Sequence, residues 1–550
     1  MSEDRNRFAV IGAGMSGILS GIKLTEAGHR FTIFEKADRV GGTWRENTYP
    51  GIACDVPSHI YSYSFDLNPD WSHFCSPGEE IRRYFEGAVD RFGIGDHIRF
   101  DDEVVSCVWH EDDLEWEVTT AAGHVERFDW VIAATGILHR PKLPDIDGLD
   151  TFTGPMFHTA TWDHDIDLTG ARVGMIGTGS SSVQVTGAIA DQVERLSIFQ
   201  RTAQWVVPVD QTAYTEEEKQ TFRTDADVLQ ELHEHMSQAF NDNFATDIID
   251  ASSGIADQVD KLSIFQRTAQ WVVPVEQTAY TEDQKQTFRT DADVLQELHE
   301  HMSQAFNDNF ATDIIDASSG IADKFEEQCL EMLAQIEDPV LREKITPDYR
   351  AGCKRLIVSH NYYDAIVKPS VDVVTETIEA IEPTGVRTAD GVLHEIDVLV
   401  LATGFHVDAF MRPMTVSGRD GVTLDEVWAD WPKAYMAVAV PEFPNFFMLN
   451  GPNSPVGNFS LIQTAELQFA YAMSLVDEVH KGRLRYAVPT ADAAARFEDE
   501  RVEAAKSTVW ATGCRSWYLD KNGVPFAWPF PFERFRMEMA EPRLGDFESV

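Results

Sequence analysis

Two segments of the chain repeat one design, an apolar strand followed by a glycine-rich turn, a helix and a second strand. The first spans residues 8–35 and the second spans residues 172–202. This is the unit from which doubly wound parallel sheets are built. A length of 550 residues exceeds what one hydrophobic core supports. The sequence therefore predicts an α/β fold with two Rossmann-like dinucleotide-binding domains.

The first turn, in the stretch FAVIGAGMSG, predicts a nucleotide site of the FAD type. Gly12 permits a tight turn, Gly14 lets the backbone approach a pyrophosphate, and Gly17 allows the helix to pack on the strand. Ser16 lies within the same turn. The second strand ends at Glu35, whose carboxylate can accept hydrogen bonds from a ribose 2′-hydroxyl and disfavours a 2′-phosphate. This unit is expected to bind FAD or NAD and not NADP.

The second turn predicts an NADP site. Ser182 stands at the third glycine position, where a small residue suffices, and the following strand ends in Arg201 and Thr202. An arginine can bind a 2′-phosphate bidentately, with the hydroxyl beside it. The turn itself comprises Gly177, Thr178, Gly179, Ser180, Ser181 and Ser182. An FAD-type and an NADP-type unit in one chain predict hydride transfer from a nicotinamide to a flavin.

Composition limits the partners and the cellular location that can be expected for this protein. The chain carries 91 acidic and 45 basic residues, so its field repels nucleic acids and anionic membrane surfaces. A polar N-terminus that leads directly into a strand, and the lack of any run of 18 apolar residues, predict a cytoplasmic protein without a membrane span. The six cysteines form no C-x-x-C pair, which indicates reduced thiols and neither a metal site nor a redox-active dithiol.

A tandem duplication interrupts the second unit. Residues 191–256 return as residues 257–322 with five differences in 66 positions. Arg267 and Thr268 of the second copy repeat Arg201 and Thr202. Only one of the two strands can occupy the position beside the strand that precedes the Gly177 turn. The short connection from the Gly177 turn favours the first copy, and we expect one surplus copy to form an insertion.

Two longer motifs carry a family resemblance. The first, G-G-x-W-x(4)-Y-P-G-x(3)-D, comprises Gly41, Gly42, Trp44, Tyr49, Pro50, Gly51 and Asp55. The second, F-x-G-x(3)-H-x(3)-W-D, comprises Phe152, Gly154, His158, Trp162 and Asp163. With these motifs the chain resembles a type I Baeyer-Villiger monooxygenase, a class B flavoprotein monooxygenase of the flavin-containing monooxygenase superfamily. The resemblance covers nearly the whole chain apart from the extra repeat.

The resemblance implies a two-dinucleotide-binding flavoprotein with FAD and NADPH as cofactors, and O2 and a small ketone as substrates. NADPH would reduce FAD, and a C4a-peroxyflavin would convert the ketone to an ester or a lactone. A flavin monooxygenase that oxygenates nitrogen or sulfur atoms is one alternative. An uncoupled NADPH oxidase, or an inactive flavin-binding protein produced by the duplication, is another. An NADPH-dependent disulfide reductase would need a cysteine pair that this sequence lacks.

The resemblance also assigns residues. Arg355 stands where the family has its catalytic arginine, Asp55 would orient it, and Lys354 would lie with Arg201 and Thr202 near the NADP phosphate. His158 would link domain motion to cofactor position. The remaining implied contacts are Thr43, Trp44, Tyr61 and Val104 around the flavin, and Trp517 at NADP or the substrate.

The resemblance implies a discontinuous domain arrangement. Residues 1–145 would form the first part of the FAD domain. Residues 146–370 would form the NADP domain, with the duplicated segment and a helical part. Residues 371–550 would complete the FAD domain and line the substrate and cofactor sites.

Overall fold

Strands and helices alternate along the chain. The structure is a computed structural model that describes residues 6–56, 58, 61–68, 71–73, 75–208, 315–457 and 459–549. Its strands are β1 (Arg7–Ile11), β2 (Arg30–Phe34), β3 (Ile98–Arg99), β4 (Val104–His110), β5 (Glu115–Thr120), β6 (Val125–Phe128), β7 (Trp130–Ala133), β8 (Met156–His158), β9 (Arg172–Ile176), β10 (Arg195–Phe199), β11 (Val206–Pro208), β12 (Ile357–Ser359), β13 (Val371–Val374), β14 (Ile378–Glu382), β15 (Gly385–Thr388), β16 (Leu393–Glu395), β17 (Val398–Leu401), β18 (Thr415–Ser417), β19 (Phe446–Met448), β20 (Leu484–Pro489) and β21 (Phe547–Ser549).

Eleven α-helices lie in the described residues. They are α1 (Met15–Glu26), α2 (Thr43–Glu46), α3 (Gly78–Arg91), α4 (Ser180–Ile189), α5 (Ile321–Ala334), α6 (Pro339–Ile345), α7 (Tyr362–Ile366), α8 (Leu424–Val427), α9 (Leu461–His480), α10 (Ala491–Ala505) and α11 (Phe532–Ala540). In this part of the chain, none of them combines the length and the apolar character that a membrane span requires.

The first sheet contains the first glycine-rich unit. Its five strands are parallel in the order β19-β7-β1-β2-β3. Successive residues of a strand point to opposite faces, so Phe8 and Val10 join a core that includes α1 and α9 residues. Ala9 and Ile11 join a second core formed largely by the four-stranded sheet β18-β4-β5-β6. Because both faces are covered, β1 is apolar along its length, as expected for a central parallel strand.

The second sheet contains the second unit. Its parallel order is β13-β10-β9-β17-β8. Val173 and Met175 of β9 pack in a core with α4 and α7 residues. Ile176 packs on the opposite face, in a core shared with the three-stranded sheet β14-β15-β16. The chain therefore has two doubly covered parallel sheets, which confirms the predicted fold class.

The second sheet continues beyond residue 370, where the sequence analysis places the return to the FAD domain. The strands β13 and β17 lie after this residue, and both pair within the second sheet. The predicted boundary is therefore too early. The sequences of short strands such as β13 (VDVV) and β17 (VLVL) do not indicate which sheet each strand joins, because sheet membership depends on pairing with strands far away in the sequence.

The first copy of the duplication supplies the strand in the second sheet. Strand β10 belongs to residues 191–256 and lies between β9 and β13. Residues 209–314, which contain Arg267, Thr268 and most of both copies, lie outside the described residues, and the expected surplus insertion stays a prediction. The described residues continue from Ile315, the first of the last eight residues of the second copy, and α5 begins at Ile321.

Candidate active site

A cavity of about 900 Å³ lies at the carboxyl ends of β1 and β7 of the first sheet and of β17 of the second sheet. Clefts outside the carboxyl ends of parallel strands are the usual ligand sites of such folds. The predicted site residues that line it are Gly12, Gly14, Ser16, Glu35, Thr43, Trp44, Asp55, Tyr61, Val104, Gly179, Ser180, Ser181, Arg201, Lys354, Arg355 and Trp517. Residues more than 450 positions apart in the chain thus meet in one space.

Two glycines of the first turn, Gly12 and Gly17, have no room for a side chain. Gly12 has φ of +102°, and a Cβ there would lie 2.6 Å from the Ala134 carbonyl oxygen. A Cβ on Gly17 would lie 1.8 Å from the Gly12 carbonyl oxygen, although Gly17 itself does not line the cavity. Helix α1 follows Gly14, whose lack of a side chain leaves the first amide groups of the helix without a side-chain cap. Such a helix N-terminus, facing a cavity, fits a pyrophosphate.

Glu35 is held by three donors. Its carboxylate accepts the amide of Ala13 at 2.8 Å and the amide of Ala37 at 3.0 Å, and forms an ion pair with Arg45 at 2.9 Å. The side chains of Glu35 and Arg45 are 4% and 6% exposed. A carboxylate has about four acceptor positions, so one position remains for a hydroxyl donor from the cavity. The ion pair between Arg45 and Glu35 was not predicted from the sequence.

Polar and aromatic groups converge beside this turn. The Trp44 indole N–H donates to the Tyr61 hydroxyl at 3.3 Å, with Tyr61 buried at 9% exposure. Asn450 donates to the Ser16 hydroxyl at 3.1 Å, while its Oδ1 is buried without a partner among the described residues. Asn450 lines the cavity. An unsatisfied buried acceptor at this position fits a ligand that supplies a donor, as a flavin cofactor would.

The second glycine turn repeats this geometry. Gly177 has φ of +115°, and a Cβ there would lie 2.3 Å from the Ala402 carbonyl oxygen. Helix α4 begins immediately after Gly179 and has no side-chain cap. The Thr178 hydroxyl donates to the Thr202 carbonyl at 2.9 Å, which fixes the segment that follows β10 against the turn. Gly177, Thr178, Thr202 and the buried Ser182 shape the turn from behind the cavity wall, since none of the four lines the cavity.

Two cations face the cavity beside this turn. Arg201 is exposed, and among the described residues no carboxylate lies within ion-pair distance of it or of Lys354. Burial lowers the pKa of Lys354, Asp348 raises it, and the nearby Arg201 lowers it further. The Lys354 ammonium lies 4.2 Å from the centre of the Tyr349 ring. Two neighbouring cations without carboxylate partners fit a phosphate, in a chain whose net charge of -46 would otherwise repel one.

Arg355 and Asp55 form the ion pair at the centre of the site. The Arg355 Nε donates to Asp55 Oδ2 at 2.8 Å, and its Nη2 donates to the same oxygen. Burial alone would lower the pKa of Arg355, but Asp55 and Tyr518 outweigh it and raise the pKa above its ordinary value. Arg355 is therefore a permanent cation on the cavity wall.

Residues of the second motif lie outside the cavity. The imidazole Nδ1 of His158 accepts the Ala160 amide at 3.1 Å, and burial lowers the pKa of His158. Trp162 packs edge-on against Phe157 with ring centres 4.9 Å apart. A Cβ on Gly154 would lie 2.3 Å from the Asp397 carbonyl oxygen. The other two motif residues are Phe152, which packs on the core that contains Leu401, and the exposed Asp163.

Two of the six cysteines are paired, which corrects the expectation of six reduced thiols. Cys353 and Cys514 form a disulfide across 161 residues, while Cys54, Cys75, Cys107 and Cys329 are free and buried. The spacing rule failed because it considers only cysteines that are close in sequence. The pair adjoins Lys354 and Arg355 on one side and Arg515 to Tyr518 on the other, all on the cavity wall.

Three residues of the site were not predicted from the sequence. Tyr518 follows the expected Trp517 on the cavity wall, Asn450 contacts Ser16, and Gln184 accepts from the Tyr49 hydroxyl at 2.9 Å. Gln184 also donates to the Ala53 carbonyl at 3.0 Å and so connects α4 to the Asp55 loop. The only available signal was that Tyr518 and Asn450 lie in the part of the chain that the family resemblance covers.

Comparison with known proteins gives consistent matches. A family model described as flavin-binding monooxygenase-like matches residues 5–245. A Baeyer-Villiger monooxygenase of Streptomyces coelicolor is 38% identical over 98% of this chain and 92% of its own. The crystal structure of cyclohexanone monooxygenase from Rhodococcus sp. Phi1 bound to NADP+ has a TM-score of 0.76 and 31% identity, and covers 98% of this chain and 97% of its own. An oxidised steroid monooxygenase bound to NADP has a TM-score of 0.75 and 30% identity, with 97% of both chains covered.

Proposed function

The chain belongs to the Baeyer-Villiger monooxygenases of the flavin-binding monooxygenase-like family, and we propose that Arg355, held by Asp55, carries its oxygenation of ketones. It is an FAD-dependent monooxygenase that consumes NADPH. The observation that supports the assignment to Arg355 is the ion pair described above, because it places a permanent cation on the wall of the cavity that both glycine turns face. Its products are esters or lactones.

FAD, when bound, takes a hydride from NADPH and reacts with O2 to supply the attacking oxygen. The turn of Gly12 and Gly14 would hold its pyrophosphate at the N-terminus of α1, and Glu35 would accept from its ribose. Thr43, Trp44, Tyr61 and Val104 would surround it, as they line the same cavity. Asn450 offers a buried acceptor that such a ligand can satisfy.

The second turn would hold NADPH. Gly179 and the amide groups that begin α4 would face its pyrophosphate, and the cations of Arg201 and Lys354 would bind its 2′-phosphate. Trp517 lies on the same cavity wall and would contact the nicotinamide half or the substrate. The opposite charges at Glu35 and Arg201 would therefore direct the two cofactors to different turns.

Arg355 would stabilise negative charge on the reacting oxygen atoms. Cations that are already in place where charge develops lower the barrier most, because they need no reorganisation during the reaction. Asp55 binds two guanidinium nitrogens through one oxygen and so limits rotation of the group. The cavity also has an apolar wall, with Met411, Met414 and Leu356 among its residues, which would limit access of water to the reacting atoms.

The test uses the flavin-loaded enzyme. It is first reduced anaerobically with NADPH and then exposed to air with a panel of ketones, while flavin absorbance, hydrogen peroxide and ester are followed together. We expect ester in proportion to NADPH consumed, and loss of ester with retained flavin in Arg355→Ala. Arg83→Ala is the matched control, because Arg83 is 71% exposed on α3 and should behave as wild type.

Three results would contradict the proposal. Ester formation by Arg355→Ala at the wild-type rate would remove Arg355 from the chemistry. Oxidation of a parallel sulfide and amine panel, with no ketone converted, would assign the enzyme to heteroatom oxygenation. Hydrogen peroxide release with no product from any panel would identify an NADPH oxidase.

A further inference from the structure

We propose that Gln184 is a positioning residue for ketone oxygenation, and that it sets the place of the Asp55–Arg355 pair relative to a nucleotide at the second glycine turn. This inference rests on the role proposed above for Arg355. Gln184 is the fifth residue of α4, the helix whose N-terminus would bind the NADPH pyrophosphate. Its side chain lines the same cavity as Asp55 and Arg355.

The loop of residues 49–55 contacts Gln184 at three places. The Gln184 Oε1 accepts from the Tyr49 hydroxyl at 2.9 Å, and its Nε2 donates to the Ala53 carbonyl at 3.0 Å. Between these two contacts, a Cβ on Gly51 would lie 2.5 Å from the Gln184 carbonyl oxygen, so the loop backbone packs directly on the helix. One residue of α4 therefore holds this edge of the loop through both ends of its side-chain amide and through its own backbone.

The other edge of the loop is fixed to the first nucleotide unit. The Cys54 amide donates to the Ser76 carbonyl at 3.1 Å, and the Gly78 amide donates to the Ile52 carbonyl at 3.0 Å. Gly78 begins α3, which packs in the same core as β1 and α1. The loop therefore lies between the two nucleotide units and is hydrogen-bonded to both.

The position of the loop determines the position of the catalytic cation. Asp55 lies two residues beyond the Ala53 carbonyl that Gln184 binds, and its carboxylate accepts from the Arg355 Nε at 2.8 Å. A displacement of the loop would therefore displace the guanidinium as well. Removal of the Gln184 side-chain amide releases only the edge that faces α4, because the bonds to the first unit remain. The distance between Arg355 and a nucleotide at Gly179 would then no longer be fixed.

The test compares ester formed per NADPH in flavin-loaded wild type and Gln184→Met. Methionine has a similar length and helix propensity but can form neither hydrogen bond. Misplacement of a catalytic group by about 1 Å can cost on the order of 100-fold in rate, and release of one edge of the loop should cost roughly 10-fold in ester per NADPH. We expect hydrogen peroxide to replace the lost ester, while the KM for NADPH and the rate of anaerobic flavin reduction stay at wild-type values. A purely structural role would instead lower the flavin content and leave ester per NADPH unchanged.

A double-mutant cycle with Asp55→Ala tests whether Gln184 acts through Asp55. If it does, Gln184→Met should cause no further loss of ester per NADPH in the Asp55→Ala background, because the loop then no longer holds Arg355. Gln192→Met is the matched control and should behave as wild type. Gln192 is exposed, lies three residues beyond α4 and outside the cavity wall, and its side chain donates to the Ala188 carbonyl at 3.2 Å.

Tyr49→Phe provides a second variant, since it removes one of the two hydrogen bonds to Gln184 and keeps the buried ring. It should lower ester per NADPH roughly 3-fold, which is half of the 10-fold effect on a free-energy scale.

Wild-type ester yield per NADPH in flavin-loaded Gln184→Met would overturn the inference, as would an equal loss from this substitution with and without Asp55→Ala. If Gln184→Met retains no flavin, wild-type yield in Tyr49→Phe would overturn it. If wild type forms no ester from any ketone, the proposed function is wrong instead. The rate of hydrogen peroxide release then decides the role of Gln184, because faster release in the variants would support it and equal rates would count against it.

Discussion

Asp55 and Arg355 lie 300 residues apart in sequence and meet on the cavity wall, with Arg355 Nε 2.8 Å from Asp55 Oδ2. Each belongs to a different segment of the chain, one following the first glycine unit and the other following the duplication. The central pair of the site therefore exists only when both parts of the chain are folded and packed together.

The first prediction concerns Asp55→Ala. Arg355 keeps its charge in this variant but loses its main anchor, so ester formed per NADPH should fall about 10-fold or more while flavin is still reduced. Product and hydrogen peroxide measured in the same assay give this ratio. Asp372→Asn, which breaks the exposed pair with Arg195, serves as control. Unchanged coupling in Asp55→Ala would mean that Asp55 does not orient Arg355.

The second prediction concerns Glu35→Ala. The substitution leaves two amide groups without an acceptor, while the buried Arg45 cation keeps Glu46 as its remaining carboxylate partner. Each orphaned buried donor costs about 1–3 kcal/mol. Urea unfolding and the temperature of flavin release should both reveal the loss. Glu79→Ala, whose carboxylate pairs with arginines on the exposed side of α3, should lose under about 1 kcal/mol.

The third prediction concerns Arg201→Ala and Lys354→Ala. If each cation binds the 2′-phosphate, each substitution should raise the KM for NADPH about 10- to 100-fold. This follows because a hydrogen bond to a charged group contributes about 1.5–3 kcal/mol of binding free energy. The KM for NADH, which has no such phosphate, should change little. Arg195→Ala, at the start of the strand that precedes Arg201, is the control. Equal effects on both nucleotides would contradict the assignment.

The fourth prediction concerns the disulfide. In the chain-entropy model a cross-link that closes a loop of this size contributes about 4–5 kcal/mol of stability. Cys353→Ser combined with Cys514→Ser should therefore unfold at lower urea concentration than wild type, and dithiothreitol should destabilise wild type but not the double variant. A thiol titration of unfolded wild type that finds six free thiols, and not four, would show that the bond is absent in solution.

The fifth prediction concerns the duplication. Deletion of residues 257–322 joins Ala256 to Asp323 and places residues 249–256 where the identical residues 315–322 stood. The residues that form the contacts of Ile315 and of the start of α5 are therefore replaced by identical residues. The single-copy chain should bind FAD and oxygenate ketones at least as well as the full chain. Loss of flavin binding would show that both copies are required.

Local patterns allowed the two nucleotide units to be predicted. A glycine turn is dictated by close backbone approach, as at Gly12 and Gly177, and the residue at the end of the next strand shows which sugar the unit fits. Such information lies within about 30 residues of sequence. The pairing of Asp55 with Arg355, in contrast, was available only through the family resemblance.

Three features had no local signal. The Cys353–Cys514 bond spans 161 residues, so no spacing rule applies to it. Arg45 reaches Glu35 because the Gly41-Gly42 turn redirects the chain, with φ of +124° and +54° at the two glycines. The strands β13 and β17 join the second sheet through long-range pairing, which placed the domain boundary too early. Tertiary contacts determine each of these features.

The slot between β9 and β13 has a consequence for how the chain reaches its fold. Residues 195–199 fill it, and residues 261–265 differ from them only by lysine for arginine. Two segments of almost equal intrinsic affinity therefore compete for one position during folding. Loop closure favours the nearer one by an amount on the order of 1–2 kcal/mol. Refolding should consequently give two topological isomers, one with residues 195–199 and one with residues 261–265 between β9 and β13. The minor isomer could convert to the major one only if a strand left the middle of the sheet.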